Sequence, residues 1–217
     1  MPSPTSRPEL VVGVAGTGTD VGKTWVAAAV ARALRGDGVT VAARKPVQSF
    51  AAADPPDARD AAVLAAATGE RPEDVCPPHR SYALAMAPPM AAAALGRSRL
   101  ALADLVTELV WPAVEVGLVE TVGGVRAPVA DDADSAALLR AIDPDLVVLV
   151  ADAGLGTVNH VRLSAAALDG LPVLVVLNRY DDTLDLHRRN RAWLADRDGF
   201  DVVVAVTDVA ARVAAGR

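Results

Sequence analysis

The sequence predicts an α/β fold with a doubly wound, mainly parallel sheet and helices on both faces. Short runs of valine, leucine and alanine alternate along the chain with alanine-rich stretches that favour helices, which is the βαβα order of such folds. The apolar runs are continuous rather than alternating, as expected for parallel strands that are covered on both sides. Strands of this kind are joined by right-handed crossovers.

The first half of the chain predicts three strands and four helices. Gly36 to Gly38 form a turn after the first helix, and Gly69 ends the second. Pro88 and Pro89 suit the first turn of the third helix, because proline at that position loses no helical hydrogen bond. The predicted strands are 10–15, 39–43 and 116–119, and the predicted helices are 23–35, 60–68, 87–95 and 102–110.

The second half predicts three further strands and two helices. Its apolar runs are β-branched and short, and each helical stretch lies between two of them. The predicted strands are 146–151, 173–177 and 202–206, and the predicted helices are 160–168 and 184–195. Residues 48–56 and 127–134 are predicted loops beside the carboxyl ends of strands, where ligands bind in such sheets.

Composition indicates a single domain. Apolar residues make up 52% of the 217 residues, and we expect one domain over residues 10–217 after a frayed tail at residues 1–9. The net charge of −6 and the lack of a basic run argue against nucleic acid as a partner. The single cysteine, Cys76, is typical of a reducing cytoplasm. No stretch has the length or pattern of a membrane span or a signal peptide, so we expect a cytoplasmic protein.

The segment Gly-Thr-Gly-Thr-Asp-Val-Gly-Lys-Thr at residues 16–24 is a P-loop between a strand and a helix. Its backbone N–H groups and the helix N-terminus bind phosphate oxygens. Lys23 would reach the terminal phosphates of a nucleotide, and the hydroxyl of Thr24 would bind Mg²⁺. Thr17 stands where the strict motif has its first glycine, which indicates a subgroup of P-loop NTPases.

The chain has 19 arginines but only two lysines, Lys23 and Lys45. A compact ammonium is hard to replace where one point charge must reach phosphate oxygens, so both lysines are candidates for chemistry. Lys45 follows a predicted strand and would lie at the same edge of the sheet as the P-loop. The alternative for Lys45 is an ordinary lysine at a strand end, with its charge in solvent. Ser49, four residues further on, is either a ligand contact or a loop serine.

Three acidic residues are candidates for the second ligand of a nucleotide-bound Mg²⁺, which requires oxygen donors. Glu120 and Asp152 each end an apolar strand, and position alone does not separate them. Asp60 begins a predicted helix after a loop, where it either binds the metal or caps the helix.

Four segments in this order resemble the dethiobiotin synthase family. They are residues 16–24, Lys-Pro-Val-Gln-Ser at 45–49, Leu-Val-Glu at 118–120 with Gly-Gly at 123–124, and Leu-Gly-Thr-Val-Asn-His at 155–160. The resemblance runs from about residue 11 to residue 178. It departs at Thr121 and Val122, where the family has glycine and alanine, so a left-handed backbone at Thr121 would be strained. Residues 202–209 also lack the family's segment that closes over adenine.

The resemblance implies an ATP-dependent carbon–nitrogen ligase of biotin biosynthesis. Its substrates would be 7,8-diaminononanoate, CO₂ and ATP, with Mg²⁺ as cofactor, and a carbamate and a carbamic–phosphoric anhydride would precede closure of the ureido ring. The implied catalytic residues are Lys23, Lys45, Thr19 and Ser49. The implied nucleotide contacts are Gly18, Thr19, Asp20, Val21, Gly22, Lys23, Thr24 and Asn178. The implied metal ligands are Thr24, Asp60 and Glu120.

The resemblance also implies a homodimer with the substrate site at its interface. Lys45 and Ser49 would contact the reacting end of the substrate. Gly156, Thr157, Val158 and Asn159 would bind its carboxylate across the interface, because the N–H groups at a helix start suit an anion.

Two other functions are compatible with a P-loop in this sequence. One is a related amide synthase or ligase of the cobyrinate type, which usually carries a glutaminase domain that this chain lacks. The other is a regulatory ATPase of the partitioning type. Such ATPases carry a second lysine five positions before the P-loop lysine, where this chain has Gly18.

Overall fold

The computed structural model describes residues 7–216 as a layered α/β structure. Its strands in chain order are β1 Leu10–Gly16, β2 Val41–Arg44, β3 Gln48–Ser49, β4 Ser81–Tyr82, β5 Val116–Glu120, β6 Pro128–Ala130, β7 Ala133–Asp134, β8 Leu146–Asp152, β9 Val173–Asn178 and β10 Val202–Val203. The helices are α1 Lys23–Gly36, α2 Asp60–Thr68, α3 Pro72–Val75, α4 Pro88–Ala94, α5 Leu102–Thr107, α6 Ser135–Ile142, α7 Thr157–Ala167, α8 Asp185–Ala192 and α9 Val206–Ala215. Short 3₁₀ turns occupy Pro56–Ala58 and Pro78–Arg80, and a π-helical turn, Trp193–Arg197, continues α8.

Six strands form the central sheet in the order β10-β9-β8-β1-β5-β2. Every pairing in this sheet is parallel. β1 lies between β5 and β8. On one side the chain passes first to the edge strand β2 and later returns to β5, and on the other side it continues outward through β8, β9 and β10. The predicted doubly wound parallel sheet is therefore confirmed.

Helices cover both faces of the sheet, and alternate residues of β1 face the two cores. Leu10, Val12 and Val14 pack with α1, α2 and α9 on one face. Val11 and Ala15 pack with α4 to α7 on the other face. Because β1 is buried on both sides, its sequence is a continuous apolar run, as the parallel-strand interpretation requires.

The parallel arrangement brings the ends of five strands to one edge of the sheet. β1 runs into the P-loop, β2 into Lys45, β5 ends at Glu120 and β9 at Asn178. β8 ends at Asp152, which lies opposite Asn178 in the register of β8 and β9. Polar side chains from distant parts of the sequence therefore meet at this edge.

Several elements differ from the sequence prediction, including the short strands β3, β6 and β7, which lie within the two predicted loops. The predicted last strand, 202–206, ends at residue 203, and the following valines begin α9, whose Val209, Ala210 and Val213 are buried against the face that carries α1. Helix α6, which begins at Ser135 directly after the predicted loop 127–134, was not predicted. Helix α7 begins at Thr157, three residues before the predicted start.

The described residues of the predicted N-terminal tail are packed. Residues 1–6 lie outside the part of the chain that the structure describes. Arg7 donates a hydrogen bond of 2.9 Å to the carbonyl of Ile142, and Pro8 is buried. Within residues 7–216 no helix combines the length and the apolar character needed to cross a bilayer.

Candidate functional site

The P-loop turns from β1 into α1 through two residues with left-handed backbone. Gly22, directly before α1, has φ of 95°, and Asp20 has φ of 59°. A Cβ atom at Gly22 would lie 2.1 Å from Nδ2 of Asn178, so only glycine fits. The same Asn178 amide donates to the carbonyl of Val21 at 2.9 Å. The end of β9 therefore fixes the loop in position.

Lys23 is buried at the first position of α1. Its Nζ donates to the carbonyl of Gly18 at 3.1 Å, so the lysine folds back over the loop. Burial, together with the positive charge of Lys45, lowers the pKa of Lys23 from its usual value. A bound anion would offset both effects, because its negative charge would stabilise the protonated ammonium of Lys23. This is expected of a phosphate-binding lysine.

Lys45 is the centre of a buried charge cluster. Its Nζ donates to Oε1 of Glu120 at 2.6 Å, to Oδ2 of Asp60 at 2.7 Å and to the carbonyl of Thr121 at 3.0 Å. All three ammonium protons are thus used, and Lys45 is only 1% exposed. The alternative of a solvated strand-end lysine is therefore wrong for Lys45.

The cluster shifts the pKa of each of its members. Burial acts to lower the pKa of Lys45, but the negative charges of Glu120 and Asp60 outweigh it and raise the pKa. Burial raises the pKa of Glu120, against the opposing effect of Lys45. Burial also acts to raise the pKa of Asp60, but Lys45 and the hydroxyl of Thr24 hold it below its usual range.

The oxygen atoms around Thr24 are suited to bind a divalent cation. The single hydroxyl of Thr24 lies 2.8 Å from Oδ1 of Asp60 and 2.8 Å from Oε1 of Glu120. One proton cannot serve both carboxylates at once. Oε2 of Glu120 is buried and has no hydrogen-bond partner among the described residues. Carboxylate and hydroxyl oxygens that lack a full set of hydrogen-bond partners are suitable ligands for Mg²⁺.

The structure also distinguishes Glu120 from Asp152, the two candidate metal ligands that sequence position did not separate. Glu120 lies beside Thr24, whereas Asp152 lies away from it and is half exposed. The carboxylate of Asp152 accepts hydrogen bonds from the backbone of Gly154 at 2.9 Å and from Arg179 at 3.0 Å. These contacts give Asp152 a structural role.

A cavity of about 860 Å³ opens above the charge cluster. It brings together most of the residues predicted for nucleotide, metal and substrate: Thr19, Asp20, Gly22, Lys23, Thr24, Lys45, Ser49, Asp60 and Glu120. The hydroxyl of Ser49 donates to the carbonyl of Met86 at 2.5 Å, which holds this side chain at the rim. The cavity is large enough for a small ligand with its reacting group over the cluster.

A second cavity of about 620 Å³ lies beside the first and shares Gly22, Trp25 and Arg179 with it. Asn178 and Tyr180 line it from the end of β9. The rest of its wall comes from Val176 and from residues 204–207, which contain the start of α9. Residues 204–207, in the segment that departs from the family pattern, therefore form part of the wall of a cavity beside Asn178.

Thr121 and Val122 fit the turn after β5 without backbone strain. Positive φ falls at Gly123, with φ of 55°, and at neither of the two preceding residues. The backbone N–H of Thr121 donates to the carbonyl of Val14 at 3.0 Å. A Cβ atom at Gly123 would lie 2.7 Å from Cβ of Ala127, so the turn requires glycine there. The possible strain at Thr121 therefore does not arise.

The predicted carboxylate-binding segment is not part of either cavity in one chain. Gly156, with φ of 91°, precedes α7, and Val158 and Asn159 follow on its first turn. Thr157 is buried, and its Oγ1 has no hydrogen-bond partner within residues 7–216. The segment lies on the surface, next to Leu155, which is 89% exposed.

Sequence reasoning missed several residues of the cavity wall. Gln48, Phe50 and Arg59 line the first cavity, and each is adjacent to, or one residue from, a predicted ligand, which was the available signal. Arg179 lines both cavities and donates to the carbonyl of Asp20 at 2.8 Å. Its position directly after Asn178 could have indicated it.

Comparison with known proteins identifies the family. The sequence model of a family described as an AAA domain matches residues 11–209. A Caulobacter vibrioides protein named ATP-dependent dethiobiotin synthetase BioD is 40% identical over 79% of this chain and 80% of its own length. The protein of the same name from Anaeromyxobacter dehalogenans is 38% identical over 93% of both chains.

The chain belongs to the dethiobiotin synthetase family. The resemblance read from residues 16–24, 45–49, 118–124 and 155–160 is thereby confirmed. A third member, from Methylobacterium nodulans, is 44% identical over 68% of this chain and 69% of its own length.

Solved structures with the same fold belong to other P-loop proteins. The signal recognition particle receptor FtsY from Elizabethkingia anophelis has a TM-score of 0.56 at 17% identity, covering 94% of this chain, which spans 59% of that protein. A plasmid partition protein from Borrelia burgdorferi has a TM-score of 0.56 at 13% identity, covering 96% of this chain and 89% of its own. At these identities the likeness shows the P-loop NTPase fold of this dethiobiotin synthetase family member and nothing of its activity.

Proposed function

We propose that the protein is an ATP-dependent dethiobiotin synthetase. It would close the ureido ring of dethiobiotin from 7,8-diaminononanoate and CO₂ as a cyclo-ligase of biotin biosynthesis. The observation that carries the proposal is the buried Lys45–Asp60–Glu120 cluster beneath the P-loop cavity, in a chain of this family. The cluster gives the P-loop a second fixed cation, as a phosphoryl transfer to a carbamate requires.

The proposed reaction has three steps. One amine of the substrate attacks CO₂ and loses a proton, which forms a carbamate. A carbamate oxygen attacks the γ-phosphorus of ATP and ADP leaves, giving a carbamic–phosphoric anhydride. The second amine then attacks the carbonyl carbon and loses a proton while phosphate departs with the C–O bonding pair. One ADP and one phosphate are formed for each ring closed.

The two lysines would stabilise the charges of these steps. Lys23 faces the phosphate-binding loop, where its ammonium would balance charge on the transferring phosphoryl group. Lys45 would reach the carbamate or the phosphoryl oxygens by exchanging one of its three internal acceptors, Glu120, Asp60 or the carbonyl of Thr121, for a ligand oxygen. Thr19 and Ser49, both at the cavity wall, would contact the carbamate or the amines.

Thr24, Asp60 and Glu120 would hold Mg²⁺. The unpartnered Oε2 of Glu120 and the hydroxyl shared between two carboxylates support this assignment. When bound, the ion would neutralise phosphate charge and orient the terminal phosphates of ATP. The three side chains are already close together, since the hydroxyl of Thr24 lies 2.8 Å from both carboxylates.

A homodimer would complete the substrate site. The backbone N–H groups at the start of α7, after Gly156, are suited to a carboxylate. They lie outside the P-loop cavity of their own chain, so they would serve the cavity of a second copy. Leu155 and Leu163 are 89% and 65% exposed beside them and would be covered in the dimer. We expect this enzyme in the cytoplasm.

Substrate dependence of ATP hydrolysis tests the proposal. With ¹³C-bicarbonate, phosphate release should require diaminononanoate, and the label should appear in the ureido carbon of the product. Hydrolysis that is instead stimulated by DNA, a lipid surface or a protein partner would indicate a regulatory ATPase. Hydrolysis dependent on another amine or carboxylate would indicate a related ligase.

A further inference from the structure

Arg59 is a cavity residue that no proposed role explains. It lies directly before Asp60, and its guanidinium carbon is 4.1 Å from the centroid of the Phe50 ring. Phe50 is itself fixed, because its backbone N–H donates to the carbonyl of Tyr82 at 3.0 Å. Stacking on the ring covers one face of the guanidinium and leaves its N–H edge available to a ligand.

The guanidinium has an unused donor inside the cavity wall. Nε of Arg59 is buried and has no hydrogen-bond partner among the described residues. The ion pairs of the cavity join Lys45 to Asp60 and to Glu120 and do not include Arg59. A buried donor without an acceptor is costly, and a cationic donor is costlier still. The missing acceptor is therefore expected to come from a ligand.

We propose that Arg59 is an anion-binding residue that contacts a negatively charged oxygen of the bound reactants. The proposal rests on the proposed function. Arg59 lines the cavity above the charge cluster and is not among the residues around the second cavity, beside Asn178. We therefore expect the anion to belong to the reacting groups of the bound ligands. Two reactant groups there carry anionic oxygen: the terminal phosphate of ATP and the carbamate of the substrate.

Isothermal titration of the full-length protein with separate ligands tests Arg59 and distinguishes the two sources. The proteins are wild type, Arg59→Gln and a control, Arg32→Gln, at an exposed position of α1. One titration uses Mg-ATP alone, and the other uses diaminononanoate with bicarbonate. Loss of one charge-assisted hydrogen bond should weaken one of these affinities about 10-fold to 100-fold in Arg59→Gln. A loss for Mg-ATP assigns the phosphate, and a loss for the diamine assigns the carbamate.

The proposal is overturned if Arg59→Gln binds both ligands within about twofold of the control. Phe50→Leu, which removes only the stacking partner, should weaken the same ligand to a smaller extent, and it replaces Arg59→Gln if that variant does not fold. Failure of the proposed function is recognised separately, because wild type would then neither bind nor convert diaminononanoate. In that case the Mg-ATP titration alone decides, and an unchanged affinity overturns the role of Arg59.

Discussion

At the scale of single residues, the proposed chemistry would depend on the compact ammonium groups of Lys23 and Lys45. Lys45 fills its site with three short contacts and is almost fully buried. We expect Lys23→Arg and Lys45→Arg each to lower kcat at least ~10²-fold, as removal of one electrostatic stabiliser of a transition state does. Steady-state kinetics with circular dichroism as a folding check measure this, with Arg32→Lys as the surface control. Near-normal turnover in Lys45→Arg would contradict the inference drawn from the two lysines.

Glu120 and Asp152 provide a matched pair for the metal assignment. Glu120→Gln removes the charge of the carboxylate whose Oε2 is unpartnered, and Asp152→Asn removes that of the acid at the neighbouring strand end. We expect Glu120→Gln to raise the Mg²⁺ concentration for half-maximal activity at least ~10-fold. Asp152→Asn should leave the Mg²⁺ dependence unchanged. An Mg²⁺ titration of turnover in which the two variants exchange these results would refute the assignment.

At the scale of elements, the start of α2 is held by a side chain from β3. Oε1 of Gln48 accepts from the backbone N–H of Ala61 at 3.1 Å, and Nε2 of Gln48 donates to Ser81 at 2.8 Å. Gln48→Ala would leave the buried N–H of Ala61 unpaired, at a cost of about 1–3 kcal/mol. Because Asp60 is the first residue of α2, we expect weaker Mg²⁺ binding as well as a lower Tm. A lower Tm with an unchanged Mg²⁺ dependence would limit Gln48 to a structural role.

Helix α6 depends on its cap. Oδ1 of Asp134 accepts from the backbone N–H of Ala137 at 2.8 Å, and Arg126 lies 2.8 Å from Oδ2. Burial acts to raise the pKa of Asp134, but the hydrogen bonds from Arg126 and Ala137 hold it below its usual value. The stability from this carboxylate is therefore present above the unfolded-state pKa and is lost as pH falls through the lower folded-state pKa.

We expect Asp134→Ala to reduce the free energy of unfolding by about 1 kcal/mol at pH 7. The difference from wild type should shrink as the pH falls below about 4, since wild type then loses the charged cap as well. Urea unfolding at several pH values measures it. A difference that is constant across this range would show that the charge of Asp134 is not involved.

The sheet could be predicted because each of its main strands is a distinct run of apolar residues. Helices α6 and α9 could not be predicted in this way. The continuous apolar runs that became β1, β8 and β9 can only be buried strands in a chain with the P-loop between strand and helix. Helix α9 starts with valine, which favours strands, and becomes helical because its apolar side packs against the face that carries α1. That contact is tertiary, and the local sequence does not contain it.

The site residues that belong to recognisable sequence motifs could be predicted. The P-loop and Lys45 could be read directly. The choice between Glu120 and Asp152 required the structure, because both acids end strands next to β1 and only Glu120 contacts Thr24. Arg59 and Gln48 were missed because their roles depend on contacts with Phe50 and Ala61 that no spacing rule predicts.

At the scale of the whole molecule, the proposed homodimer would build each site from two chains. Lys23→Ala and Asn159→Ala should each inactivate a homodimer through different halves of the site. After mixing and subunit exchange, heterodimers contain one intact site, so we expect activity to return in part. Native mass spectrometry establishes that heterodimers form, and heterodimers without recovered activity would contradict a shared site.

The most direct test of the central claim is a mass-detected assay of the purified protein with Mg-ATP, bicarbonate and 7,8-diaminononanoate. The account predicts dethiobiotin, with one ADP and one phosphate for each molecule of product, and no product when the diamine or ATP is omitted. A folded protein that binds or hydrolyses ATP under these conditions but forms no dethiobiotin would contradict it.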